Sequence, residues 1–253
     1  MGISWVDSHC HLDFPAFDAD REAVIARARA AGVTDVVVPG VRPDAGDRVA
    51  AVACEPGIHS AYGLHPWWAG DYRAQHLAML EARLAAGQAV AVGECGLDFA
   101  RDIDREVQRH WFVAQLELAS AYGLPVIVHA VRSLDHVLHE LAAFPGLAGV
   151  IHGFSGSRQQ AERGMAAGLM LGIGPSVARR GRLGDIVRTM PVENLLLETD
   201  APDRPLSGER GEPADVVAVA GAVCALTGMA PGELAAATTD NAKRLFGLGG
   251  SDG

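Results

Sequence analysis

A chain of 253 residues with 49% hydrophobic and 21% charged side chains can bury a full-sized core and is too apolar for a disordered polymer. Its 21 Lys+Arg against 31 Asp+Glu leave a formal net charge of -10, which disfavours a broad electrostatic grip on DNA or a membrane surface. A nucleic-acid end held locally by metal and a few arginines stays open.

Cys10, Cys54, Cys95 and Cys224 are too few for a disulfide scaffold and read as free thiols in a reducing compartment. The N-terminus has no basic stretch leading into an apolar segment, and no apolar run approaches about 18 residues. The expected location is the cytoplasm, with no membrane partner.

Along the chain, short apolar β-rich runs alternate with Ala-rich helical stretches, the pattern of βα units around a parallel sheet. Strands are expected at Trp5-Val6, Asp35–Val38, His59–Tyr62, Ala89–Val92, Val126–Val128, Gly149–Ile151, Leu169–Gly172 and Leu195–Leu197. Helices are expected between them at Asp20–Ala31, Asp44–Cys54, Tyr72–Ala86, Asp104–Tyr122, Ser133–Ala143, Ser157–Ala167 and Leu183–Thr189. Asp215–Thr227 and Pro231–Phe246 close the chain as two more. In Asp104–Tyr122, Val107, Trp111, Leu116, Leu118 and Ala119 recur at a helical period.

Eight strand-helix pairs suggest one α/β domain over residues 1–253, core about 5–246, folded as a (β/α)8 barrel. An open doubly wound sheet is the alternative. Its dinucleotide-binding form is disfavoured because no Gly-x-Gly-x-x-Gly follows the first strand, and no nucleotide cofactor is expected. The irregular segment Ala201–Ala214 reads as an active-site loop or an ordinary exposed one, and the tail Gly247–Gly253 is expected to fray.

A barrel gathers the carboxyl ends of its strands around one mouth, and here those ends carry ligand-type groups. The first strand leads into His9-Cys10-His11, whose alternate positions share a side. Later strands lead into His65, Glu94, His129, His152 and Asp200. A lone histidine at a strand end is usually hydrogen-bonded structure, but so many at one rim indicate a metal site. His9, His11, His129 and His152 with Glu94 and Asp200 exceed one tetrahedral centre and suit two divalent ions about 3.5–4 Å apart. Glu94 is the expected bridge, since a carboxylate offers two oxygens and an imidazole one lone pair. His9 and His11 would hold one ion near Asp200, and His129 and His152 the other. An activated water would be the nucleophile and Asp200 the general base, which describes a hydrolase of phosphodiesters, amides or esters.

Around these groups, Glu198 and Asp98 are expected to orient ligands from behind. His65 is expected to contact substrate and Arg132 to clamp phosphate. Of Ser155 and Ser157, which precede a helix, one caps it and the other receives phosphate. Cys10 and Cys95 alternate away from the ligands and read as packing residues.

Asp7-Ser8-His9-Cys10-His11-Leu12-Asp13, Gly63-Leu64-His65-Pro66, Val92-Gly93-Glu94-Cys95-Gly96-Leu97-Asp98, His152-Gly153-Phe154-Ser155-Gly156-Ser157 and Leu197-Glu198-Thr199-Asp200-Ala201-Pro202 together resemble the TatD family of metal-dependent hydrolases, within the amidohydrolase superfamily. The likeness runs from about Trp5 to Phe246. It implies a TIM barrel with a divalent centre (Mg, Mn or Zn) and deoxyribonuclease activity, commonly of 3'-to-5' exonuclease type. His9, His11, Glu94, His129, His152 and Asp200 match the family's ligand positions. Two departures stand out: Val131 replaces the arginine of the family's His-x-Arg, with Arg132 one residue later, and the usual Asn-Glu-Pro is reduced to Glu212-Pro213. The expectation is a metal-dependent phosphodiesterase acting on DNA ends. Its rivals are an amidase or esterase for a small or tRNA-linked substrate and a non-catalytic metal-binding barrel.

Overall fold

The computed structural model describes residues 2–179, 181–203 and 210–249. Its strands are β1 (Trp5–Asp7), β2 (Val33–Pro39), β3 (Ile58–Tyr62), β4 (Ala91–Asp98), β5 (Val126–Val131), β6 (Gly149–Ile151), β7 (Leu169–Ile173) and β8 (Leu195–Leu197). They pair in parallel in the order β1-β2-β3-β4-β5-β6-β7-β8. Strictly sequential order has no reversal point, so the doubly wound alternative is excluded and the fold is a (β/α)8 barrel. The helices are α1 (Arg21–Ala30), α2 (Gly46–Val52), α3 (Ala74–Ala85), α4 (Arg105–Tyr122), α5 (Leu134–Leu141), α6 (Arg158–Ala166), α7 (Arg182–Val187), α8 (Val216–Thr227) and α9 (Pro231–Phe246). Among the described residues no single helix is long and apolar enough to cross a membrane.

One apolar residue from each strand fills the barrel: Val6, Val37, Ala61, Ala91, Ile127, Val150, Met170 and Leu196 form one buried cluster. Ala242, Leu245 and Phe246 of α9, with Leu248 beyond it, join the same cluster. Leu248 is therefore buried, and the expected fraying of the tail does not reach it; residues from 250 onward lie outside the described set. Two positions further along several strands, the alternation brings the next inward residues, among them His129, Gly172, His152 and Glu198. Gly172 is small for a steric reason: a Cβ there would lie 2.2 Å from Glu198 Oε2.

Two strands run further than their composition suggests. β4 continues through Gly93-Glu94-Cys95-Gly96-Leu97-Asp98, with its pairing to β5 shifting between Val92 and Cys95. β5 continues past His129 to Val131. Glycines and charges depress strand propensity, but both extensions lie on paired strands where tertiary contacts decide.

The β8–β1 seam closes beyond the strands themselves. Ser8 N–H donates to Leu197 O (2.9 Å), Asp200 N–H to His9 O (2.9 Å) and His11 N–H to Ala201 O (2.8 Å). The segment that closes the barrel is therefore the segment that carries His9, His11 and Asp200.

Candidate metal centre

All six expected ligands converge at the mouth, around Glu94. Its Oε2 lies 3.3 Å from His9 Nε2 and 3.5 Å from His11 Nε2. Its Oε1 lies 2.8 Å from both His129 Nδ1 and His152 Nε2. Asp200 Oδ1 is 3.6 Å from both His9 Nε2 and His11 Nε2. His9 is fully buried, Glu94 is 2% exposed and His129 6%, so these polar groups face one another and little water.

His65 stands closer to the centre than a substrate contact requires. Its Nε2 is 3.1 Å from Glu94 Oε1, which places three imidazoles around that oxygen. Among the described residues three sets have donor atoms within 4.8 Å of one another inside each set: His9, Glu94 and His152; His9, His11 and Asp200; His65, Glu94 and His129. Imidazoles with two carboxylates and no thiolate form a set that borderline divalent ions accept. Of the expected ions, the donor chemistry fits Zn and Mn better than Mg.

Electrostatics follow from this crowding. Burial favours protonation of Glu94, but His152, His65 and His9 outweigh it and hold its carboxyl well below the usual range. Burial opposes protonation of His11, yet Asp200 and Glu94 raise it to about 9. At His65 burial prevails, reinforced by His129 and His152 against Glu94, and lowers it to about 4.

The orienting residues are a mixture of expected and new ones. Asp98 Oδ2 lies 3.2 Å from His129 Nε2, which turns Nδ1 toward Glu94. The same oxygen accepts from the Trp67 indole N–H at 2.6 Å. Glu198 Oε1 accepts from Gly153 N–H (2.5 Å) and lies 3.8 Å from His152 Nδ1. Asp7, given no role from sequence, accepts from the Thr199 hydroxyl (2.6 Å), Thr199 N–H (3.0 Å) and His9 N–H (3.3 Å). It thereby fixes the backbone on both sides of the closing seam, and its place two residues before His9 was the available signal.

Two glutamines of α4 were also missed. Gln115 accepts from Leu64 N–H (2.7 Å) and donates to Leu64 O (3.0 Å), beside His65. Gln108 pairs in the same two-sided way with Asp98, at 2.7 and 3.1 Å. The apolar reading of α4 put Val107 inward, but Val107 is 36% exposed while Gln108 and Gln115 are buried beside Trp111, Phe112, Leu116 and Ala119. A buried backbone that needs partners explains glutamine on that face.

The cluster opens into a cavity of about 660 Å³ whose walls include Phe14, Arg42, Arg48, Trp67, Trp68 and Asp203. Asp203 is the last described residue before the 204–209 stretch of the Ala201–Ala214 loop, which lies outside the described residues. Arg132 and Ser155 do not line this cavity; they line a second one of about 510 Å³ with Gln160 and Arg182. Arg132 holds a left-handed backbone, φ 54°. Ser157 is the helix cap, accepting from Gln160 N–H at 3.2 Å. Cys10 and Cys95 are buried in the apolar core, as their alternation suggests.

Comparison with known proteins agrees with this arrangement. The model of the family described as TatD related DNase matches residues 6–247. The uncharacterized metal-dependent hydrolase YjjV of Escherichia coli (strain K12) is 38% identical, over 98% of this chain and 100% of that protein. The 3'-5' ssDNA/RNA exonuclease TatD of Erwinia tasmaniensis is 37% identical, over 96% of this chain and 99% of that one. The crystal structure of YjjV superimposes with a TM-score of 0.93 at 37% identity, covering 98% and 100% of the two chains.

Proposed function

Because the chain belongs to the TatD-related DNase family, we infer that it is one metal-dependent hydrolase domain that removes nucleotides from the 3' end of single-stranded DNA. The observation that carries the reading is the division of Glu94: one carboxylate oxygen faces His9 and His11, the other His129 and His152. A carboxylate divided in this way would serve two adjacent ions at once. His9, His11 and Asp200 would hold one ion and His129 and His152 the other, with His65 in reach of the second. The imidazoles favour Zn, and the two carboxylates also admit Mn, whereas Mg prefers an all-oxygen shell that this donor set does not offer.

Bound divalent ions would supply Lewis acidity toward the phosphoryl oxygens and acidify a water. The remaining work falls to the chain. Asp200, held as a carboxylate at the rim of the cluster, takes the proton of the attacking water. Asp98 keeps the His129 ring oriented, and Glu198 and Asp7 keep the His152 and His9 segments in place. A strand end held in this cavity of about 660 Å³ accords with a net charge of -10, which disfavours wrapping a duplex.

The test is a metal-swap assay on single-stranded DNA labelled at its 3' or 5' end, run beside a panel of amides and esters. The expected result is metal-dependent release of 3' nucleotides that a chelator stops. Intact DNA ends together with Asp200-dependent turnover of an amide would overturn the assignment.

A further inference from the structure

The mouth also carries an exposed aromatic ring. Trp67 is 38% exposed and lines the cavity, in the turn that starts directly after His65. Its backbone N–H donates to His65 Nδ1 at 3.2 Å, and its indole N–H to Asp98 at 2.6 Å, so the ring is held in one orientation. The Arg101 guanidinium lies over the ring, 4.0 Å from its centroid. Its aromatic neighbours His65, Trp68 and His129 stand at 84°, 55° and 79° to it, so among the described residues no ring stacks parallel to Trp67. Trp68 beside it carries Arg42 at 5.4 Å, itself paired in two-pronged fashion with Asp44.

A rigid, exposed indole with a cation over its ring, two residues from His65 of the cluster, has the properties of a base platform. Bases of any identity stack on such rings, and a guanidinium over the ring adds attraction for the nearby phosphates. A base already stacked inside a duplex is not available for this contact, so the platform also favours single strands.

We propose that Trp67, backed by Arg101, is the platform on which the terminal 3' base of a single-stranded DNA rests while its phosphodiester lies at the metal cluster. Trp67 is thus a specificity-determining residue for the activity inferred above, and the proposal rests on that reading.

The test compares two 5'-labelled single strands of equal length, one ending in an ordinary 3' nucleotide and one in a 3' abasic residue. The quantity read is the ratio of their kcat/KM values in one metal-loaded protein, which cancels any general loss of activity from disturbing Asp98. The wild type should prefer the base-bearing end about ten-fold or more. Trp67→Ala should bring the ratio close to one, and Trp67→Phe, which keeps a ring but loses the N–H, should retain most of it. If Trp67→Ala cuts neither strand, the same comparison is made by binding of uncleavable phosphorothioate strands, with the same ratios expected. A wild type without preference, an unchanged ratio in Trp67→Ala, or a ratio lost equally in Trp67→Phe would overturn the platform while leaving the nuclease reading intact. A wild type that cuts neither strand would overturn both.

Discussion

At the scale of single residues, the convergence of the six expected ligands was legible because each follows a short apolar run, and the strand ends of a barrel meet. That His9, His11, Glu94, His129, His152 and Asp200 come together could be read from order along the chain. The place of His65 against Glu94, and the Trp67–Asp98–His129 contact, could not, because both depend on how a short turn folds back over the mouth. Asp200→Asn should fold normally, with an unchanged far-UV spectrum, and lose about 10²–10⁴ in kcat, the range of a positioned proton acceptor; a loss below ten-fold would remove Asp200 from that role. His129→Ala should bind less metal than the wild type when both are dialysed against Mn or Zn and assayed by elemental analysis. Unchanged stoichiometry would argue against the second ion position.

At the scale of elements, the pattern of strands and helices was readable and their ends were not. β4 was expected to stop at Val92, yet it runs to Asp98, so Glu94 lies inside a paired strand. Its glycines and acids look like a loop in isolation, and only the pairing with β5 and the shift between Val92 and Cys95 make a strand of them. Helix α4 shows the opposite difficulty: its extent was right, but its buried face includes Gln108 and Gln115, which an apolar pattern discounts. Gln115 serves both backbone groups of Leu64, next to His65. Gln115→Ala should therefore cost about 1–3 kcal/mol, the penalty for leaving buried backbone groups unpaired. Urea denaturation measures it; a change below about 0.5 kcal/mol, the range of ordinary surface substitutions, would show that Leu64 finds other partners.

At the scale of the whole molecule, barrel closure and the cluster are one piece of structure. The hydrogen bonds from Ser8, His11 and Asp200 that shut the β8–β1 seam hold the first and last ligands in register. Ions bound across that seam should stabilise the fold by mass action, about 2.7 kcal/mol at a hundred times Kd, or roughly 5–10 °C in Tm for a chain of this size. The sign of the pH dependence follows from the donors. Imidazole ligates only when neutral, so protons compete with metal, and the metal-induced rise in Tm should be larger near pH 8 than near about pH 5.5. Calorimetry with and without Mn or Zn at the two pH values reads it directly, and an equal or larger rise at acid pH would contradict the ligand set.

The central claim is that Glu94 lies between two ions at the barrel mouth. Anomalous diffraction from crystals loaded with Mn tests it most directly. Two peaks about 3.5–4 Å apart are expected, one beside His9, His11 and Asp200 and one beside His129 and His152, with Glu94 touching both. A single peak remote from Glu94, or none at the mouth, would contradict it.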